Sequence, residues 1–112
     1  MIGRSRWSAT AVAGFVLVAS GIAAKQTAAA ADATNGKALA QRWCVSCHVI
    51  SPDQKSATTD APPFSAIAAK PDFDASKLAF FLLDPHPKMP NFGLSREAAA
   101  DLAAYIVSQR PR

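Results

Sequence analysis

Along most of this chain the apolar residues recur at a helical period. Leu39 and Trp43 fall four residues apart and share a face. With Asn35 as a capping residue, they predict a short helix from residue 35 to about residue 43. Pro62 and Pro63 suit a helix start, which predicts a short helical turn over residues 64–69. Another helix is expected to begin at Asp74 or Ser76 and run to about Leu83, with Leu78, Phe81 and Leu82 on one face. The Asp84-Pro85 pair stops it, because the residue before a proline is pushed out of the helical region. Ser95 then caps a last helix, with Glu97 near its positive end and Arg110 at its negative end. Leu102, Tyr105 and Ile106 form the buried stripe of that helix. The two-residue alternation of a half-buried strand is missing, and there are no internal repeats. Residues 49–63 read as a polar loop rich in Ser, Asp, Thr and Pro. The pattern therefore predicts a compact all-α domain with long loops.

The first thirty or so residues follow a different logic. Arg4 and Arg6 precede an apolar run over residues 9–24 that contains Val12, Phe15, Val16, Leu17, Val18 and Ile22. An alanine stretch, residues 28–31, offers an Ala-x-Ala cleavage site just before Asp32. Residues 1–31 therefore read as a cleavable secretory signal peptide and residues 32–112 as the one domain. An uncleaved membrane anchor is the competing reading, since the run approaches bilayer-spanning length, although Gly14, Ser20 and Gly21 dilute it. No cysteine lies near the junction, which excludes a lipid-modified N-terminus.

Cleavage changes the charge argument. Three of the twelve Lys and Arg residues (Arg4, Arg6 and Lys25) leave with the leader, whereas all eight acidic residues stay, so the remaining chain carries only +1. A nucleic-acid partner thus has no electrostatic support. About eighty residues bury a limited core, and a chain that short usually needs a disulfide, a metal or a large prosthetic group as a staple.

Cys44-Val45-Ser46-Cys47-His48 identifies which. Cys-x-x-Cys-His is the attachment pattern of a c-type haem. Two thiols three residues apart can add across the two vinyl groups on one edge of the porphyrin, and the next residue presents an imidazole to the iron. A zinc site is disfavoured by supply, since the chain has two cysteines and two histidines in all. A thioredoxin-like dithiol is disfavoured because no strand-helix-strand pattern surrounds the motif. Cysteines that end as thioethers also suit an exported compartment.

A haem held by His48 has a free position on its other face. After leader removal Met89 is the only methionine and His86 the only other histidine, and both lie in the loop Pro85-His86-Pro87-Lys88-Met89-Pro90-Asn91-Phe92-Gly93. Met89 is preferred, because prolines at 85, 87 and 90 stiffen the backbone around a weak thioether ligand. A methionine that merely fills a gap in the core, and His86 as the ligand instead, are the alternatives.

Cys-x-x-Cys-His after a first helix, a lone Met-Pro in a late loop and a final amphipathic helix together resemble a small class I cytochrome c, over residues 32–112. The resemblance implies a cytochrome c fold, with three to four short helices wrapped around one covalently bound haem c. It implies thioether bonds at Cys44 and Cys47, His48 as proximal ligand and Met89 as distal ligand. The first and last helices are expected to cross with Gly36 close to Tyr105. A proline carbonyl is expected to accept a hydrogen bond from the proximal imidazole; Pro62 is the candidate, with Pro63 as alternative, since Ala61 stands where the family usually has Gly. The loop between His48 and Pro62 is short and a second large loop is missing, so the haem edge is expected to be more exposed than in longer relatives.

Iron saturated by nitrogen and sulfur ligands exchanges one electron with little rearrangement and offers substrate no open position. The function expected is one-electron transfer between redox protein partners, a donor and an acceptor associated with the membrane, by a periplasmic monomer that is not an enzyme and takes no small-molecule substrate. Two alternatives stand beside it: a dedicated electron-transfer subunit of a dehydrogenase or oxidase complex, and a haem protein with an open iron site for catalysis or gas binding. Phe64, Leu78, Phe81, Leu82, Phe92 and Leu94 are candidates to keep water off the ring or simply to form core. Lys88 is a surface lysine that could also steer an acidic partner.

Overall fold

The computed structural model describes Gly14, residues 29–85 and residues 87–112. The rest of the expected leader, and His86, lie outside the described residues. Four helices follow one another: α1 (Ala33–Trp43), α2 (Phe64–Ala68), α3 (Ala75–Leu83) and α4 (Arg96–Ser108). No strand occurs among the described residues, so the all-α expectation holds.

Three helices begin under a side-chain cap, and one cap differs from expectation. Asp32, not Asn35, starts α1, its carboxylate accepting from the backbone amides of Thr34 and Asn35 at 2.8 and 3.2 Å. Asp32 is the better cap because its anionic oxygen reaches two of the unpaired amides at the helix's positive end. The Asn35 side chain points elsewhere, donating from Nδ2 to the Asp101 carboxylate at 2.8 Å. Asp74 caps α3 through the amide of Lys77, and the helix stops at Asp84 before Pro85. Ser95 caps α4 through the amide of Ala98, with Glu97 in the first turn.

α4 is the central element, and α1, α2 and α3 all pack on it. Leu102, Tyr105 and Ile106 are buried as expected, together with Ala99 and Ala103. They meet Ala40, Ile50, Phe64, Ala68 and Leu82 from the rest of the chain. α1 crosses α4 at Gly36, where a side chain would run into the backbone of Asp101 and the β-carbon of Tyr105.

Asp101 is the buried charge of this interface, only 5 % exposed. Its two carboxylate oxygens accept from the Asp32 amide at 2.6 Å and from Asn35 Nδ2 at 2.8 Å, which offsets its desolvation. Arg110 also corrects the expectation made for it. It lies past the end of α4 and donates from Nε to the Ala68 carbonyl at the end of α2, 2.9 Å away, with its guanidinium over the Phe73 ring. Among the described residues no helix is long and apolar enough to cross a membrane.

Candidate functional site

The last turn of α1 runs straight into the Cys-x-x-Cys-His segment. Cys44 is the residue that closes the helix, its amide donating to the Ala40 carbonyl at 2.8 Å. The amides of Cys47 and His48 then both donate to the Cys44 carbonyl, at 3.1 and 2.9 Å, so one tight turn carries both sulfurs and the imidazole. Cys44 is buried and joins the core, while Cys47 is half-buried. Burial, with the neighbouring Cys47 adding to it, pushes the Cys44 thiol up to about 11.

His48 is aimed by a single strong contact. Its Nδ1 lies 2.7 Å from the Pro62 carbonyl oxygen. A carbonyl can only accept, so the proton of the neutral ring sits on Nδ1 and Nε2 keeps its lone pair for a metal. The oxygen of Pro63 is engaged differently, accepting from the amides of Ala66 and Ile67 at 3.0 and 3.1 Å as α2 begins. The His48 ring rests on Phe64, centroids 5.5 Å apart, and Phe64 meets Tyr105 edge-on at 6.2 Å. The Tyr105 hydroxyl donates to the Ile50 carbonyl at 3.0 Å. Burial, and then the Asp53 charge, raise the phenol above its ordinary value, which keeps it a donor.

Met89 lies in the connection between α3 and α4, half-buried and packed against the core, with Lys88 exposed beside it. Its loop is pinned to the end of α1 that bears Cys44. Phe92, three residues on, stacks flat against Trp43, with centroids 5.6 Å apart and planes 6° from parallel. Trp43 in turn lies under the Arg42 guanidinium at 5.3 Å. Gly93 stands before α4 at a φ of +63°, a conformation that side-chain-bearing residues adopt at a cost, and its amide is held by the Asn91 side chain. Of the candidate ring-covering residues, Phe64 and Leu82 are buried, Leu78, Phe92 and Leu94 half-buried, and Phe81 is 40 % exposed.

The polar loop proves to be more than a solvated connection. Gln54 Nε2 lies within hydrogen-bond distance of the carbonyls of Val45 (3.0 Å), His48 (2.9 Å) and Ser56 (3.1 Å), which share its two hydrogens, and its Oε1 accepts from the Ile50 amide at 2.9 Å. Thr58 donates to the Ser46 carbonyl through both its hydroxyl (2.6 Å) and its amide (2.9 Å). The Thr59 hydroxyl donates to the Cys47 carbonyl at 2.9 Å. Sequence reasoning missed these residues. The only local signal was the polarity of the loop, which a solvated loop shares.

Two thiols, one imidazole with a free Nε2 and a neutral thioether on a braced loop form a donor set suited to a covalently anchored iron porphyrin. Residues 31–106 match the family model described as "Cytochrome C oxidase, cbb3-type, subunit III". The chain is 55 % identical over 98 residues to "Cytochrome c-552" of Bradyrhizobium diazoefficiens, covering 88 % of this chain and 94 % of that protein. No solved structure matches.

Proposed function

The chain belongs to this c-type cytochrome family, and from that premise we propose that it is a one-electron carrier whose single haem c is ligated by His48 and Met89. Cys44 and Cys47 hold the haem covalently. When bound, the haem supplies one reversible electron at its iron. The observation that best supports the ligand reading is the bond from His48 Nδ1 to the Pro62 oxygen, which orients the imidazole and leaves Nε2 available. Met89 would supply the opposite ligand from a loop held by the Phe92–Trp43 stack. Imidazole with thioether favours the reduced state and raises the potential. With His48 and Met89 both holding the iron, no position would be left for a substrate, and the protein would pass electrons without bond chemistry of its own. Phe64, buried and packed against the His48 ring, would keep water from the proximal side.

In this reading residues 1–31 direct export and are removed. Residues 32–112 then work in the periplasm as a monomer that exchanges electrons with membrane-associated redox proteins. The dedicated-subunit reading draws support from the printed description of the family, which names an oxidase subunit. A stable oxidase copurifying with the protein would favour it over a diffusible carrier.

The ligand assignment is tested by Met89→Ala. The reduction potential should fall, and the iron should open to cyanide and carbon monoxide. An unchanged spectrum would exclude Met89. Intact mass of the exported protein reports leader removal and covalent haem in one measurement.

A further inference from the structure

From Cys44 to Ile50 every backbone carbonyl meets a donor, and all the donors but those to Cys44 come from beyond the turn itself. The Cys44 carbonyl is taken by the amides of Cys47 and His48, that of Val49 by the Phe64 amide and that of Ile50 by the Tyr105 hydroxyl. Among the described residues, the four carbonyls from Val45 to His48 are taken by Gln54, Thr58 and Thr59. Gln54 is the keystone, because one planar group accepts from Ile50 while its two hydrogens serve the carbonyls of His48, Val45 and, at the longest of the three distances, Ser56. That combination fixes which way its amide faces. Only an amide of this length can do it: a carboxylate lacks the donor, and an apolar side chain lacks both.

We propose that Gln54, seconded by Thr58 and Thr59, is a positioning residue for the proximal ligand. Gln54 holds the peptide plane that follows His48 and Thr59 the one that precedes it, and together they set the direction in which the imidazole presents Nε2. The Pro62 oxygen fixes the ring from its far side, but that contact constrains one atom of a side chain whose backbone must itself be held. Gln54 supplies that hold at the His48 carbonyl and at the amide two residues later. This inference rests on the reading of His48 as the proximal ligand.

The test uses the haem-loaded protein. Gln54→Met keeps length and neutrality but removes both hydrogen-bonding groups. Its oxidised form should show displaced His48 ring resonances in the NMR spectrum, and its electron-exchange equilibrium with a redox dye of fixed potential should shift by about threefold or more, the factor that the net worth of one hydrogen bond carries when the bond favours one oxidation state. If Gln54→Met does not accumulate with haem, Thr59→Val and Thr59→Ser carry the test: valine loses the donor to the Cys47 carbonyl and serine keeps it. Displaced resonances in the valine variant, restored in the serine variant, support the proposal. Lowered thermal stability with unmoved His48 resonances and an unmoved equilibrium would overturn it, leaving these residues as loop supports only. A wild-type spectrum without imidazole ligation would instead overturn the ligand reading itself.

Discussion

Replacing Gly36 by alanine sets two well-characterised effects against each other. Alanine inside a helix is favoured over glycine by about 1 kcal/mol, so α1 considered alone should gain. The helix crossing says the opposite. A β-carbon at residue 36 would sit 2.6 Å from the carbonyl carbon of Asp101 and 2.9 Å from the β-carbon of Tyr105, and nearer still to the Asp101 carbonyl oxygen. Carbon atoms pack best at about 3.5–4.0 Å, so α1 and α4 must part by about 1 Å. Two of the three obstacles are backbone atoms, which cannot swing aside as a side chain would. Parting the helices also stretches the bonds that Asp101 makes across the same interface, now 2.6 and 2.8 Å. Overpacking of this kind costs about 3 kcal/mol at the upper end of its usual range. Subtracting the helix gain leaves a net loss of about 2 kcal/mol. For a domain of this size that is a fall in melting temperature of about 8–16 °C. Thermal unfolding of the haem-loaded protein, followed by circular dichroism, reads it directly. A melting temperature unchanged or raised would refute the reasoning, because propensity would then have won and the crossing would be looser than described.

Removing the buried carboxylate, by Asp101→Leu, strips the Asp32 backbone nitrogen (the α-ammonium once residues 1–31 are removed) and the Asn35 side chain of their acceptor. It should cost about 2–3 kcal/mol, and an unshifted urea midpoint would show that neither donor needed it. In the haem-free chain the Cys44 thiol, raised from 9.0 to about 11, is ionised in about one molecule in a hundred at pH 9. Alkylation there should modify Cys47 well before Cys44, and equal rates would contradict the burial of Cys44. The sign of the linkage follows: between pH 9 and 11 an unfolded chain releases a proton that the folded one keeps, so the haem-free fold loses stability as pH rises through that window. The thioether-linked protein, which has no thiol there, should show no such loss.

What could be read from sequence was local chemistry. The spacing of Cys44, Cys47 and His48 carries its meaning within five residues, and Asp74 and Ser95 mark helix starts by bonding to amides three residues on. What escaped depended on partners far along the chain. Asn35 looks like a cap until Asp101, sixty-six residues later, turns out to hold its side chain. Asp101 itself breaks an otherwise apolar stripe, and no periodic rule finds a charge that is buried because two donors await it. Arg110 suited the end of its own helix electrostatically, yet the carbonyl it reaches belongs to Ala68. The role of Gln54 is likewise set by the path of the backbone around it rather than by its neighbours in the chain.

The Tyr105 hydroxyl reaches back fifty-five residues to Ile50, and the same ring backs the phenylalanine that carries His48. The pentapeptide is therefore not a portable cassette. Transplanted onto another scaffold, or left on a chain trimmed ahead of Tyr105, it would keep its reactive atoms and lose the wall they lean on. Grafting it would mean carrying the far end of the domain along with it.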